Sequence, residues 1–322
     1  MEHEILSRAW LGRTTRAWLR SLIVAVAVCL GVVVTAAPAS AFTPSPTTTG
    51  NIDGAYSNGV KKTDVAFFRP SNHTWYVLGM MPAKLGRSGD QPVPGDYNGD
   101  KVTDMALWRP STGEWVIPGG GTPQVLGGRG DIPVPGDYDG NGTTEIAYWD
   151  STNGNWEVLH QQPISWGKPG DIPVPGDYNG DGTTDMGIWE TDTGIWKVYL
   201  EANTKLGDPG DIPVPGNYLL DSVDRRTDLA VYKPDTGEYH VNGTTPVSVM
   251  RAVGKVPQKG DIPVPGDYNG DGRTDMGIFR PSTGDWVVIS AAWSWKTSTW
   301  TLGDKPLVNL TGFGQSGDIP VS

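Results

Sequence analysis

Apolar positions in this chain come in short bursts: Val65 to Arg69, Trp75 to Leu78, Trp115-Val116-Ile117, Asp185-Met186-Gly187-Ile188-Trp189. Runs of four to six β-forming residues, bounded by Gly, Pro, Asn and Asp, predict short strands joined by tight turns. The bursts repeat. The string Gly-Asp-Ile-Pro-Val-Pro-Gly-Asp-Tyr starts at Gly130, Gly170 and Gly260, with variants at Gly89 and Gly210 and a truncated copy from Gly317 to Ser322. Its Asp positions 90, 131, 171, 211, 261 and 318 are spaced 41, 40, 40, 50 and 57 residues apart, so the extra length sits in the later units. Each unit continues with an acidic Gly-rich loop, a short apolar segment, a turn such as Pro110-Ser111-Thr112-Gly113, and an aromatic-led segment. A period of 40–45 residues holding four short strands predicts a propeller blade.

The phase of the repeat adds a closure. The first unit, from about Asn51, has its loop and later strands but no Ile-Pro-Val segment before them, and the chain finishes on that segment, Ile319-Pro320-Val321. The predicted fold is therefore all-β: a six-bladed β-propeller over residues 51–322, closed by the C-terminal strand pairing into the first blade. Such closure removes open sheet edges.

Composition fits a folded β protein. Glycine (44) and proline (27) make up 22% of 322 residues, just under the roughly 25–30% of structureless low-complexity chains, while 14 Trp need a core. Residues 1–41 read as a secretory signal peptide: Arg8, Arg13, Arg16 and Arg20, an uncharged run from Leu22 to Val34, then Pro38 and Ala39-Ser40-Ala41 before Phe42. A Thr/Pro-rich linker follows over 42–50, and the expected location is extracellular. Cys29, the single cysteine, leaves with the leader, so the exported chain needs another source of stability. Losing four Arg and two Glu from 25 basic and 36 acidic residues leaves a net charge of −13. That argues against nucleic acid and against an anionic membrane as partners once the leader is cut.

Much of the acid is concentrated in one loop type. Asp177, Asn179, Asp181 and Asp185 stand at positions 1, 3, 5 and 9 of the loop after the Ile-Pro-Val segment. Asp267, Asn269, Asp271 and Asp275 repeat the spacing, as do Asp137, Asp139, Asn141 and Glu145, and Asp96, Asn98, Asp100 and Asp104. Oxygen side chains at this spacing, with a backbone carbonyl near position 7, suit Ca²⁺, which takes roughly 6–8 oxygen ligands. About four calcium sites are expected among the twelve carboxylates of these loops, and their eight positive charges would bring the net charge from −13 to about −5. In the second unit Lys101 replaces the position-6 glycine, where a left-handed backbone is expected. The first loop (Asn51, Asp53, then Asp64) and the fifth (Asn217, Asp221, then Asp228) break the spacing.

These Asp-x-Asn-x-Asp-Gly-x-x-Asp loops after a Pro-Val-Pro-Gly segment resemble the FG-GAP/VCBS repeats of integrin α-subunit propellers and of many bacterial exported proteins. The resemblance covers about residues 51–322. It implies a calcium-loop propeller and carries the ligand roles to the four loops above. It fixes no single function, because such propellers serve adhesion, glycan binding and catalysis.

Ligand contacts are expected where the sixfold pattern breaks. Trp293, Trp295 and Trp300 lie in the extra length of the last unit, and Trp166 reads as an aromatic outside the repeat. One residue per blade, Arg69, Arg109, Asp150, Glu190, Lys233 and Arg280, recurs on the face opposite the acidic loops, with acids in units three and four only. Arg–Asp pairing within each blade is the plain reading of that series; a polarised binding rim around Arg109, Asp150 and Glu190 is the alternative. Aromatics recurring in every unit, such as Trp108 and Trp115, read as core between blades. The expected function is an exported binding module for a glycan or another cell-surface ligand. The alternatives are a glycan hydrolase or lyase, with Asp150 and Glu190 as a carboxylate pair, or a protein adhesion module.

Overall fold

The computed structural model describes residues 52, 56, 57, 60–219, 226–294, 296–303 and 305–321. The expected leader and linker, together with Asn51, Asp53, Asp221 and Trp295, lie outside the described residues. Six small antiparallel sheets form a six-bladed propeller.

Blade one pairs Ile319–Val321 with Ala66–Arg69, then Thr74–Val77 and Ala83–Lys84. The register sets Ile319 opposite Phe68 and Val321 opposite Ala66, so the closing strand expected from the repeat phase is in place. Blades two, three and four run in chain order from Gln91–Pro92, Ile132–Pro133 and Ile172–Pro173, each with four strands. Blade five departs from four strands. It has Ile212–Pro213, Ala230–Lys233 and Glu238–Val241, and a single bridge from Tyr239 to Val247 followed by one helical turn, Val249–Ala252, stands where a fourth strand would be. Blade six inserts a hairpin, Ala291–Ser294 with Thr299–Leu302, between its third strand (Asp285–Ile289) and its fourth (Val308–Leu310). The extra length of the last unit is this hairpin.

Proline in every first strand is tolerated because that strand pairs on one side only, and a two-residue edge limits what can add to it. The second and third strands carry the recurrent aromatics directly opposite each other: Trp108 with Trp115, Trp149 with Trp156, Trp189 with Trp196. All six are essentially buried. Both indoles of a pair donate to one carbonyl, that of Leu126 at 3.1 Å each, of Trp166 at 3.2 and 3.1 Å, and of Leu206 at 3.1 and 3.0 Å. A buried indole N–H needs a partner, and sharing an acceptor lets two large rings sit in one blade.

The core lies between blades. Met186 and Ile188 of blade four join the cluster of Trp149 and Trp156 in blade three, and Val65 and Phe67 of blade one join that of Phe279 and Trp286 in blade six. Main-chain bonds reinforce these seams. The threonine immediately before the last loop acid, position 8 in the regular loops, donates its N–H to the carbonyl at position 1 of the preceding blade: Thr144 to Asp96 at 2.8 Å, Thr184 to Asp137, Thr227 to Asp177, Thr274 to Asn217, and Thr63 to Asp267. The glycine just before position 1 is needed for this approach. A Cβ on Gly266 would lie 2.7 Å from Thr63 Cγ2 and 2.8 Å from its Oγ1.

Candidate metal centre

The acidic loops connect the first and second strands, on the same face as the connections between third and fourth strands. In each of the four regular loops the first Asp is buried, and its two oxygens gather main-chain N–H groups from positions 4 and 6. Asp137 accepts from Gly140 at 2.7 Å and Gly142 at 2.9 Å; Asp267 accepts from Gly270 at 2.7 Å and Gly272 at 2.8 Å. This wrap requires a left-handed residue at position 6. Gly142, Gly182 and Gly272 have φ of 87°, 90° and 85°, and Lys101 is held at 69°, at a steric cost of roughly 1 kcal/mol for a non-glycine residue.

The position-9 carboxylate accepts the N–H of the tyrosine at position 2: Tyr97 to Asp104 at 3.0 Å, Tyr138 to Glu145 at 2.7 Å, Tyr178 to Asp185 at 2.8 Å and Tyr268 to Asp275 at 2.9 Å. At position 3, Asn98 and Asn179 donate Nδ2 to the position-9 acid and accept the position-5 N–H on Oδ1. Asn269 donates Nδ2 in the same way, to Asp275, yet its Oδ1 is buried with no hydrogen-bond partner. Position 5 makes the same kind of bond as position 3: Asp100, Asn141, Asp181 and Asp271 accept the N–H two residues on. Positions 1, 3 and 9 come together in blade three. In blade three all three are carboxylates, and one oxygen each of Asp137, Asp139 and Glu145 lies within 4.8 Å of the others. This trio could hold a metal ion.

Burial without a countercharge raises the position-9 acids. Desolvation, followed by neighbouring loop carboxylates, lifts Asp104 and Glu145, and the same causes lift Asp185. Asp275, 1% exposed, is pushed up to about 8 by burial and by Asp271 and Asp267. Hard oxygen donors that repel one another, with an unpaired amide oxygen among them, fit a divalent cation.

The irregular loops are built differently. Asn217 sends its amide to Gly272 O at 3.0 Å, Asp228 accepts from Tyr218 and Leu219 at 2.8 Å each, and Asp64 accepts the N–H of Ile52 at 2.6 Å.

On the opposite face the six-residue series is engaged within the blades. Arg69 forks onto Asp318, Arg280 onto Asp261, and Arg109 onto Asp90 at 2.9 and 3.1 Å, with Glu114 as a further partner. Lys233 bonds Asp208 and Asp211. Glu190 accepts from Lys197 at 2.6 Å and Thr193 at 2.7 Å, which hold its carboxyl down at about 2. Asp150 accepts from Thr152 and Asn153 in its own turn, which lowers it.

In the inserted hairpin Trp293 and Trp300 pair directly, with ring centroids 5.2 Å apart, both partly exposed. Trp300 Nε1 donates to Thr245 O at 2.7 Å, so the hairpin straps blade six to blade five. Trp166 does not lie outside the repeat. It occupies the place of Leu126 and Leu206, with its carbonyl between the two buried indoles and its ring edge-on to Tyr199 at 5.3 Å. Sequence reasoning missed the role of the position-8 threonines, whose recurrence at a fixed place beside position 9 was the available signal. Neither the family models nor the curated proteins compared with this chain give a match.

Proposed function

We propose that this chain is an exported binding module: a propeller of the FG-GAP/VCBS kind whose regular acidic loops hold calcium and whose ligand is a glycan on a cell surface or polysaccharide. The observation that carries the calcium reading is Asn269 Oδ1, buried and unpartnered among Asp267, Asp271 and the buried Asp275. Calcium would supply the countercharge these oxygens lack, and its need for roughly 6–8 oxygens would be met by positions 1, 3, 5 and 9 with main-chain carbonyl and water. Because the position-1 carbonyl accepts the next blade's threonine N–H, fixing that residue also fixes the seam between blades.

The glycan reading is supported by where the sixfold pattern breaks. The Trp293–Trp300 hairpin of blade six and the glycine-rich connection of blade two both belong to the loop face. Metal-stripped protein titrated with calcium should gain melting temperature, and retention on a polysaccharide array should be higher in calcium than in chelator. A melting temperature indifferent to calcium removes the first reading; absence of retention on every glycan removes the second.

A further inference from the structure

We propose that the cleft between blades two and three binds one pyranose residue, an inference that rests on the glycan-binding reading above. A cavity of about 270 Å³ opens there. Its origin is visible in the chain. The connection after Trp115 runs through Gly119-Gly120-Gly121, and from Trp115 to Gly127 it is one residue longer than from Trp156 to Gly167 or from Trp196 to Gly207. Gly120 lines the space without a side chain, together with Ile146 and Leu159 of blade three.

Size and chemistry both select the occupant. A cavity of about 150 Å³ takes a bare six-membered carbon ring, so this one has room for a six-membered ring with its hydroxyl groups. Ile117, Ile146 and Leu159 give it apolar lining, and Gln124, Glu145 and His160 are among its polar lining residues. A pyranose presents an apolar face and a belt of hydroxyls, each both donor and acceptor. Amide, carboxylate and imidazole supply complementary donors and acceptors, whereas a hydrocarbon covering them would leave them unpaired at a cost. Glu145 is also a member of the carboxylate trio, so the cleft and the metal loop share a residue.

The test uses the full exported chain in calcium with methyl glycosides of glucose, galactose, mannose, N-acetylglucosamine and fucose, read by saturation-transfer NMR. Gln124 and His160 are both exposed, and His160 already has φ of 66°, so Gln124→Trp and His160→Gly should keep the melting temperature. At least one glycoside should bind the parent protein, and Gln124→Trp, which fills the cleft mouth, should weaken it at least tenfold, with His160→Gly weakening it too. Binding unchanged in both variants but lost in Trp300→Ala would overturn the cleft while leaving glycan binding intact. Retention on a polysaccharide with no glycoside bound would likewise overturn it. No retention on any glycan would remove both readings together.

Discussion

Replacing Asp275 by Asn separates two roles that one carboxylate plays in the last loop. The side chain is 1% exposed, accepts the Tyr268 N–H at 2.9 Å, and without a metal its pKa stands at about 8 against 3.8 for an ordinary Asp. Between about pH 4 and 8 the folded state therefore holds this proton more tightly than the unfolded state. Metal-free protein should lose stability as pH rises, by roughly 1.4 kcal/mol per pH unit from this residue alone. From pH 5.5 to 7.5 that is about 2–3 kcal/mol. Calcium needs the ionised form, so its stabilising effect runs the other way and shrinks as pH falls. Asparagine keeps the acceptor oxygen and removes the charge. Metal-free Asp275→Asn should exceed the metal-free parent at pH 7.5 by up to about 5 kcal/mol, while losing the calcium response of its loop. Urea unfolding of resin-stripped protein at both pH values, with and without millimolar calcium, measures all four quantities. If the stripped parent is no less stable at pH 7.5 than at 5.5 relative to the variant, the argument from Asp275 burial fails.

Three further outcomes follow from the geometry. Gly266→Ala should cost about 1–3 kcal/mol by overpacking Thr63 across the seam, whereas Gly128→Ala, with open space at its Cβ and ordinary φ, should stay within about 0.5 kcal/mol; equal effects in chemical denaturation would refute the role assigned to Gly266. Arg109→Met strands the buried Asp90 and should cost about 3–5 kcal/mol, while Lys205→Ala, from an exposed pair with Asp208, should cost under about 1 kcal/mol; the reverse order would sink the contrast. Deleting Gly317 to Ser322 uncovers the edge of Ala66–Arg69 and should give aggregates in size-exclusion chromatography, and a truncated monomer with the parent melting temperature would contradict closure.

The ring was legible because its signals are local and repeated. The phase of Ile319-Pro320-Val321 against the first unit foretold a pairing across most of the chain, and the loop spacing foretold the left-handed backbone at Lys101. What stayed hidden depends on neighbours. Thr63 and Gly266 are 203 positions apart in the chain, and only the ring brings them into contact. Trp166 looked exceptional by residue type, yet its repeated function is carried by a main-chain carbonyl that any residue supplies. The fifth blade's three strands were masked because its unit is longer than the regular ones.

The closing strand also orders events in time. Five blades pair their strands inside their own repeats, but blade one waits for a segment 249 residues away, the separation of Arg69 from Asp318. Contacts of such separation are slow to form, so the last phase of refolding should be the docking of residues 319–321, and it should be slowed by mutations at that seam more than elsewhere. Until then the edge of Ala66–Arg69 stands open, and at high protein concentration the same segment of a neighbouring molecule competes for it. Strand exchange of this kind makes swapped dimers the characteristic misassembly of the ring, and dilution during refolding the remedy.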